Sequence, residues 1–104
     1  MDVFEALADP RRRQVVQMLS VRPRRAGELA SAAGMSAPAM SRHLKTLLDA
    51  GIITDERIRD DARLRVFRLR PRSLVAVQAF LDQLQAEWNA QLHSFKRHVE
   101  ANKP

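Results

Sequence analysis

The spacing of apolar residues changes twice along this chain, at Gly51 and at Pro71. Before Gly51 the apolar positions recur at helical intervals. From Ile52 to Arg70 they are β-branched and aromatic residues mixed with Arg, and beyond Pro71 they return to a helical stripe. A chain with this pattern builds a helical body, one hairpin and one long closing helix. Its 104 residues suffice for a single domain, residues 1–104.

Local punctuation divides the helical part. Asp2 to Ala8 reads as a short helix with Val3, Phe4 and Leu7 on one side. Asp9 is a good N-cap and Pro10 is tolerated at the first helical position, so a second helix starts there and runs to about Ser20, with Val15, Met18 and Leu19 at helical spacing. Arg22-Pro23 ends it. A third helix, Ala26 to Ala33, turns Leu29, Ala32 and Ala33 inward and stops at Gly34, a residue suited to a left-handed C-cap. Ser36 caps a fourth helix with Pro38 in its first turn. Its buried stripe is Met40, Leu44, Leu47 and Leu48, and Gly51 terminates it. Ile53, Thr54, Ile58, Val66, Phe67 and Leu69 then form two strands joined at Arg59-Asp60-Asp61-Ala62, and Pro71 closes the second strand. A helix from Ser73 to about Val99 completes the chain. The fold class is mostly α with a small β-hairpin, a winged helix-turn-helix in the order α-α-α-α-β-β-α.

Charge points to a partner. Lys+Arg is 18 and Asp+Glu 12, a net charge of +6. Fifteen of these cations are Arg, the side chain suited to bidentate contacts with phosphate and guanine. They cluster at Arg11, Arg12 and Arg13, at Arg22, Arg24 and Arg25, and between Arg57 and Arg72. A small basic protein of this kind most often binds nucleic acid; a solvated charged surface is the alternative.

Two short helices joined by a Gly-containing turn make a helix-turn-helix, and the fourth helix is its recognition helix. Opposite the buried stripe it presents Pro38, Ala39, Arg42, Lys45, Thr46 and Asp49, with Ser41 and His43 on the flanks. Small N-terminal residues let such a face enter a major groove about 12 Å wide. Arg42 can fork onto guanine or phosphate, Lys45 suits phosphate, and Ser36 sits where a helix N-terminus meets a phosphate. The hairpin that follows is the wing, with Arg57, Arg59, Arg63 and Arg65 flanking its tip. Asp60 and Asp61 at the tip itself would be repelled by phosphate.

Several segments together resemble the ArsR family of bacterial winged helix-turn-helix repressors. They are Leu7-Ala8-Asp9-Pro10-Arg11-Arg12-Arg13, Gly27-Glu28-Leu29-Ala30, Met35 through Leu47, Ala50-Gly51-Ile52-Ile53 and Val66-Phe67-Arg68-Leu69. The resemblance spans nearly the whole chain in the correct order. It implies a homodimeric repressor that leaves its DNA operator when an inducer binds. Three departures stand out. The family's thiolate metal sensors carry Cys pairs near the recognition helix, and this chain has no Cys. A second family metal site uses paired Asp and His on the last helix, which here offers Asp82, Glu87, His93, His98 and Glu100 without an Asp-x-His pair. His93 and His98 are five apart, a poor chelating interval on one helix face. The usual Gly of the wing turn is replaced by Asp60-Asp61. The resemblance is therefore closest to the metal-free members, often autorepressors or regulators without a known inducer, and no metal or cofactor is expected.

The last helix carries Leu74, Val77, Leu81, Leu84, Trp88, Leu92, Phe95 and Val99 at intervals of three and four, a stripe about 38 Å long. With Val3, Phe4 and Leu7 of the first helix it is expected to form the dimerisation face, residues 73–99 supplying most of it. Val75 and Phe80, beside the stripe, are expected to pack inward on the winged core. Folding of the helix back over its own domain is the alternative.

The expected function is sequence-specific regulation of transcription by a homodimer on a palindromic operator. The alternative is a basic winged-helix module that binds DNA non-specifically or binds a protein partner. An enzyme is not expected: there is no Gly-rich phosphate loop, and Ser41, His43 and Asp49 ride one helix that also packs the core. Residues Asp2, Glu5 and Asp9 stand where a signal peptide would need an apolar run, and Leu74 to Leu81, broken by Gln78, is too short to span a membrane. A cytoplasmic location is expected.

Overall fold

A computed structural model describes residues 2–58 and 65–102. The chain falls into two compact units, residues 1–74 and residues 75–104.

The first unit opens with α1 (Val3–Leu7) and α2 (Pro10–Val21). Asp2 caps α1 by accepting the Glu5 N–H at 2.9 Å. Asp9 caps α2, its Oδ1 accepting the N–H of Arg11 at 2.7 Å and of Arg12 at 3.3 Å. Partial burial pushes the Asp9 carboxyl up, but those two N–H bonds and the charges of Arg12 and His43 outweigh it and hold it below its ordinary value. A carboxyl lowered in the folded state contributes stability that is complete above the ordinary Asp range and is lost as pH falls through the lowered value. Asp9→Asn keeps a capping oxygen and removes the charge. Denaturation of this variant between about pH 5 and about pH 3 is expected to show a shallower loss of stability than wild type; equal slopes would mean the charge contributes nothing.

Arg22, before Pro23, is extended at φ −165° and ψ 160°, as a residue preceding proline prefers. That conformation carries into β1 (Arg24–Arg25), which the sequence pattern did not reveal because two residues show no alternation. Next come α3 (Ala26–Ala33), α4 (Ala37–Asp49), β2 (Ile53–Arg57) and β3 (Arg65–Leu69). The sheet order is β1-β3-β2, antiparallel throughout. Ile53 pairs with Leu69 and Arg57 with Arg65 across the wing, while Arg24 and Arg25 pair with Phe67 and Val66 on the other edge of β3. Among the described residues the winged unit thus has three strands where two were expected. The expected turn at residues 59–62 lies outside the described residues.

Gly34 adopts φ +64°, a left-handed conformation that costs a residue with a Cβ about 1–2 kcal/mol. It lets Met35 N–H reach the Ala30 carbonyl at 2.9 Å, closing the end of α3 and reversing the chain into α4. The core combines Val15 and Leu19 of α2, Leu29 of α3, Met40, Leu44 and Leu47 of α4, Ile52 just before β2, and Ile53 and Phe67 of the sheet. Ala6 is the buried residue of α1, with Val3 and Leu7 half-buried and Phe4 exposed. Leu48, placed in the buried stripe by spacing, is half-buried at its edge. Ala32 was expected inward but is exposed, and Ala30 is buried in its place. Ala32 lies about 200° round the helix from Ala30, so a core side that holds Leu29 and Ala30 leaves it facing away.

The final helix, α5 (Pro71–Ala101), begins two residues earlier than expected. Pro71 opens this helix, β3 having ended at Leu69, since a proline needs no N–H partner in a first turn. Within residues 75–101 every residue except half-buried Val77 is exposed. Val75 and Phe80 are 68% and 50% exposed. The core cluster is completed by residues 3 to 69. Among the described residues no helix is long and apolar enough to cross a membrane.

Candidate nucleic-acid interface

The site is built around the capped start of α4. Ser36 Oγ accepts the Ala39 N–H at 3.3 Å, leaving its own hydroxyl hydrogen to donate. Pro38 has no N–H, and Met40 N–H bonds the Ser36 carbonyl at 3.0 Å. Ala37 therefore supplies the first-turn backbone donor left for a phosphate. Pro38, Ser41, Arg42, Lys45 and Asp49 are exposed on one broad face, with Ala39, His43 and Thr46 half-buried along one flank. Arg42 has no hydrogen bond or ion pair to another of the described residues. Lys45 Nζ sits 3.3 Å from Asp49 Oδ2, one helical turn on, so this lysine carries a counter-charge of its own. The sequence reading placed Asp49 on the face without that pairing. The i, i+4 interval permits the pair, and no spacing rule requires it.

On the wing, Arg57 stands directly across from Arg65. Side-by-side guanidinium groups repel. Asp55, diagonal to Arg65, relieves part of this by accepting its Nε–H, and Glu56 accepts the Nε–H of Arg68 on the opposite face. Arg65 also lies over the Phe67 ring, 5.0 Å from its centroid. Arg59 and Arg63 lie outside the described residues. Ser41, Lys45 and Arg65, from two separate sequence segments, line one cleft together with Arg25.

The first arginine cluster has a structural use. Arg12 donates to the carbonyls of Ala6 at 2.6 Å and Glu5 at 3.3 Å, and Arg13 to those of Leu7 and Ala8, both at 2.9 Å. The carbonyls of Ala6, Leu7 and Ala8 are ones a short helix leaves without a helical partner at its C-terminus, while that of Glu5 also accepts the Ala8 N–H at 3.2 Å. The two side chains therefore fasten α1 to α2. Arg22 is also engaged, donating to Glu28 Oε2 at 3.0 Å. That bond, opposed by some desolvation and helped by the charge of Arg22 and the Arg25 N–H, holds the Glu28 carboxyl below its ordinary value. Charge clustering alone could not separate these clamps from Arg42. The signal that could have is the Asp-Pro-Arg-Arg-Arg order, in which the cations follow a five-residue helix and lie within reach of its end.

The expected dimerisation residues lie on α1 and α5. Leu81, Leu84, Trp88, Leu92, Phe95 and Val99 are all exposed, Trp88 at 57%. Val3, Leu7, Leu74 and Val77 are half-buried. Among the described residues no three His, Cys, Asp or Glu side chains group as a metal ion would need.

A helix-turn-helix with a cationic recognition face and an adjoining Arg-bearing hairpin defines a winged helix-turn-helix DNA-binding protein. Residues 9–55 match the bacterial regulatory protein, arsR family. The chain is 35% identical over 98 residues to the HTH-type transcriptional regulator Rv2034 of Mycobacterium tuberculosis, covering 94% of this chain and 86% of that one. It is 38% identical over 56 residues to the transcriptional repressor SdpR of Bacillus subtilis, covering 54% and 62%. The crystal structure of the ArsR family transcriptional regulator RHA00566 superposes with a TM-score of 0.71 at 35% identity, covering 83% of this chain and 86% of that one. This chain belongs to the ArsR family. It is a DNA-binding transcriptional regulator and not an enzyme.

Proposed function

We propose that the protein is a homodimeric repressor in the cytoplasm that reads a palindromic operator through α4 and the wing. The observation that carries this reading is Arg42: a guanidinium free of partners among the described residues, on the exposed face of a helix whose other side is locked into the core. In this reading Ser36, Pro38, Ala39, Ser41, Arg42, His43, Lys45 and Thr46 meet the groove and its edges. Arg57 and Arg65 take flanking phosphate, whose charge would relieve their mutual repulsion. Repression, the activity in the name of the similar SdpR, follows if the bound dimer blocks polymerase.

Sites selected from random duplexes should converge on an inverted repeat. Arg42→Ala is expected to cost about 1–3 kcal/mol on the selected site and to relax base preference at one position in each half-site. Lys45→Ala should weaken binding to all sequences more evenly, and modestly, because Asp49 already offsets that charge. Unchanged affinity and preference in Arg42→Ala, read by titration at fixed salt, would move the docking face elsewhere. A protein that binds all duplexes alike would instead be the non-specific module.

In this reading DNA release does not depend on metal. Stoichiometric zinc, copper(I) or arsenite should leave operator binding unchanged in a retardation assay. A one-to-one calorimetric response to zinc, lost in a His93→Ala/His98→Ala variant, would overturn this.

A further inference from the structure

We propose that the cleft between the start of α3, one flank of α4 and β3 binds a small amphipathic anion, a carboxylate or sulfonate on an aromatic or branched apolar body. Resting on the DNA-binding reading above, we infer that such an anion competes with DNA. The cleft measures about 770 Å3, within the range of small-molecule sites. Its floor is apolar: Leu44 and Phe67 are buried there and Leu48 is half-buried. Three cations, Arg25, Lys45 and Arg65, stand in its wall. Lys45 is engaged by Asp49 and Arg65 by Asp55. Arg25 has no ion pair among the described residues, and it is the cation left to receive an anionic head. The Ser41 hydroxyl adds a second polar group beside the apolar floor.

Both parts of the lining bear on the class of ligand. A sugar-phosphate strand gains little from a floor of Leu and Phe, and Glu28 in the same wall carries its own counter-charge in Arg22. A neutral apolar molecule leaves Arg25 unused. A single anionic head on an apolar body satisfies both. Competition follows from shared residues, because Ser41, Lys45 and Arg65 belong to the proposed DNA-contacting set as well as to this cleft. An occupant covers them without any change of fold.

The test uses the full chain and 2-naphthoate as probe, with acetate and 2-naphthalenemethanol as partial mimics. Gly27 lines the cleft and a Cβ built there meets nothing within 4 Å. Gly27→Leu therefore adds an apolar side chain at the cleft wall without a clash and, lying inside a helix, favours folding. Naphthoate is expected to shift the amide resonances of Gly27, Ser41 and Leu48 with a dissociation constant of about 1 mM or tighter. Acetate and the alcohol should bind at least about tenfold more weakly. Gly27→Leu should abolish those shifts, and Arg25→Ala should weaken binding by at least about tenfold. In a retardation assay naphthoate should displace DNA from the wild type over the concentration range that saturates the resonance shifts. Absence of shifts at millimolar probe, shifts confined to the Trp88 region, or binding that survives Gly27→Leu would overturn the proposal. So would inorganic phosphate competing as well as naphthoate, which would make the cleft a seat for the DNA backbone. Failure of the untreated protein to bind DNA would defeat the DNA-binding reading alone, since the resonance shifts are measured without DNA.

Discussion

Trp88→Glu is expected to convert a dimer into monomers and to lower operator affinity by at least about a hundredfold. Along residues 81–99 of α5, Leu81, Leu84, Trp88, Leu92, Phe95 and Val99 are all exposed, Phe95 at 66%. A soluble monomer seldom keeps an apolar patch beyond a few hundred Å2. Covering the stripe with a second copy removes it from water, at roughly 25 cal/mol per Å2. Trp88 has the largest side chain of the stripe and sits near its middle. It lines a shallow concavity with Leu81 and Leu84, the setting of an interface anchor. A carboxylate there would have to be buried unpaired against its symmetry mate. The DNA effect follows from linkage. In a two-fold dimer one half-site contact presents the second recognition helix at high effective concentration, roughly 34–36 Å away on the duplex; a monomer loses that gain. Sedimentation should show half the mass for Trp88→Glu, with circular dichroism confirming that helix content persists. Trp88→Leu, still apolar, should remain a dimer. A wild-type monomer at micromolar concentration, or a Trp88→Glu protein that stays a tight dimer, would defeat the dimer built on this helix.

Leu47→Ala is expected to destabilise the winged unit by about 2–5 kcal/mol. Leu47 is 0% exposed, among the largest fully buried side chains, and its carbonyl accepts the Ile52 N–H at 3.0 Å as the chain leaves α4 for the sheet. Truncation removes apolar contacts and leaves a cavity that rigid neighbours on three elements fill poorly. Stability of a domain this size is about 5–15 kcal/mol in total, so the midpoint in urea should fall by a large fraction. Leu48→Ala, one residue on and half-buried, should cost clearly less. Equal costs at the two positions would mean that α4 is rotated from the orientation described. That rotation would also carry Arg42 off the exposed face.

Much of this protein follows from local physics that a sequence displays. Capping by Asp9 and Ser36, the prolines at 10 and 38 and the left-handed Gly34 each act within a few residues, so helix starts and the reversal between α3 and α4 are readable directly. The stripe of α4 fixes its buried side, and with it the exposure of Arg42. The ArsR resemblance rests on these same segments in order. What tertiary structure alone decided depends on partners distant in sequence. β1 exists because β3 offers an edge forty residues later, and its two residues carry no pattern of their own. Whether an arginine is a clamp or a free guanidinium is a question of which carbonyl or carboxylate lies within reach. Arg12 and Arg13 close the end of α1, Arg65 and Arg68 hold acids on the facing strand, and Arg42 has no hydrogen bond or ion pair among the described residues. Charge is additive along a sequence, but its availability is set by geometry. The cleft that joins Arg25 and Gly27 to Ser41 and Arg65 likewise exists only once helix and sheet have packed together.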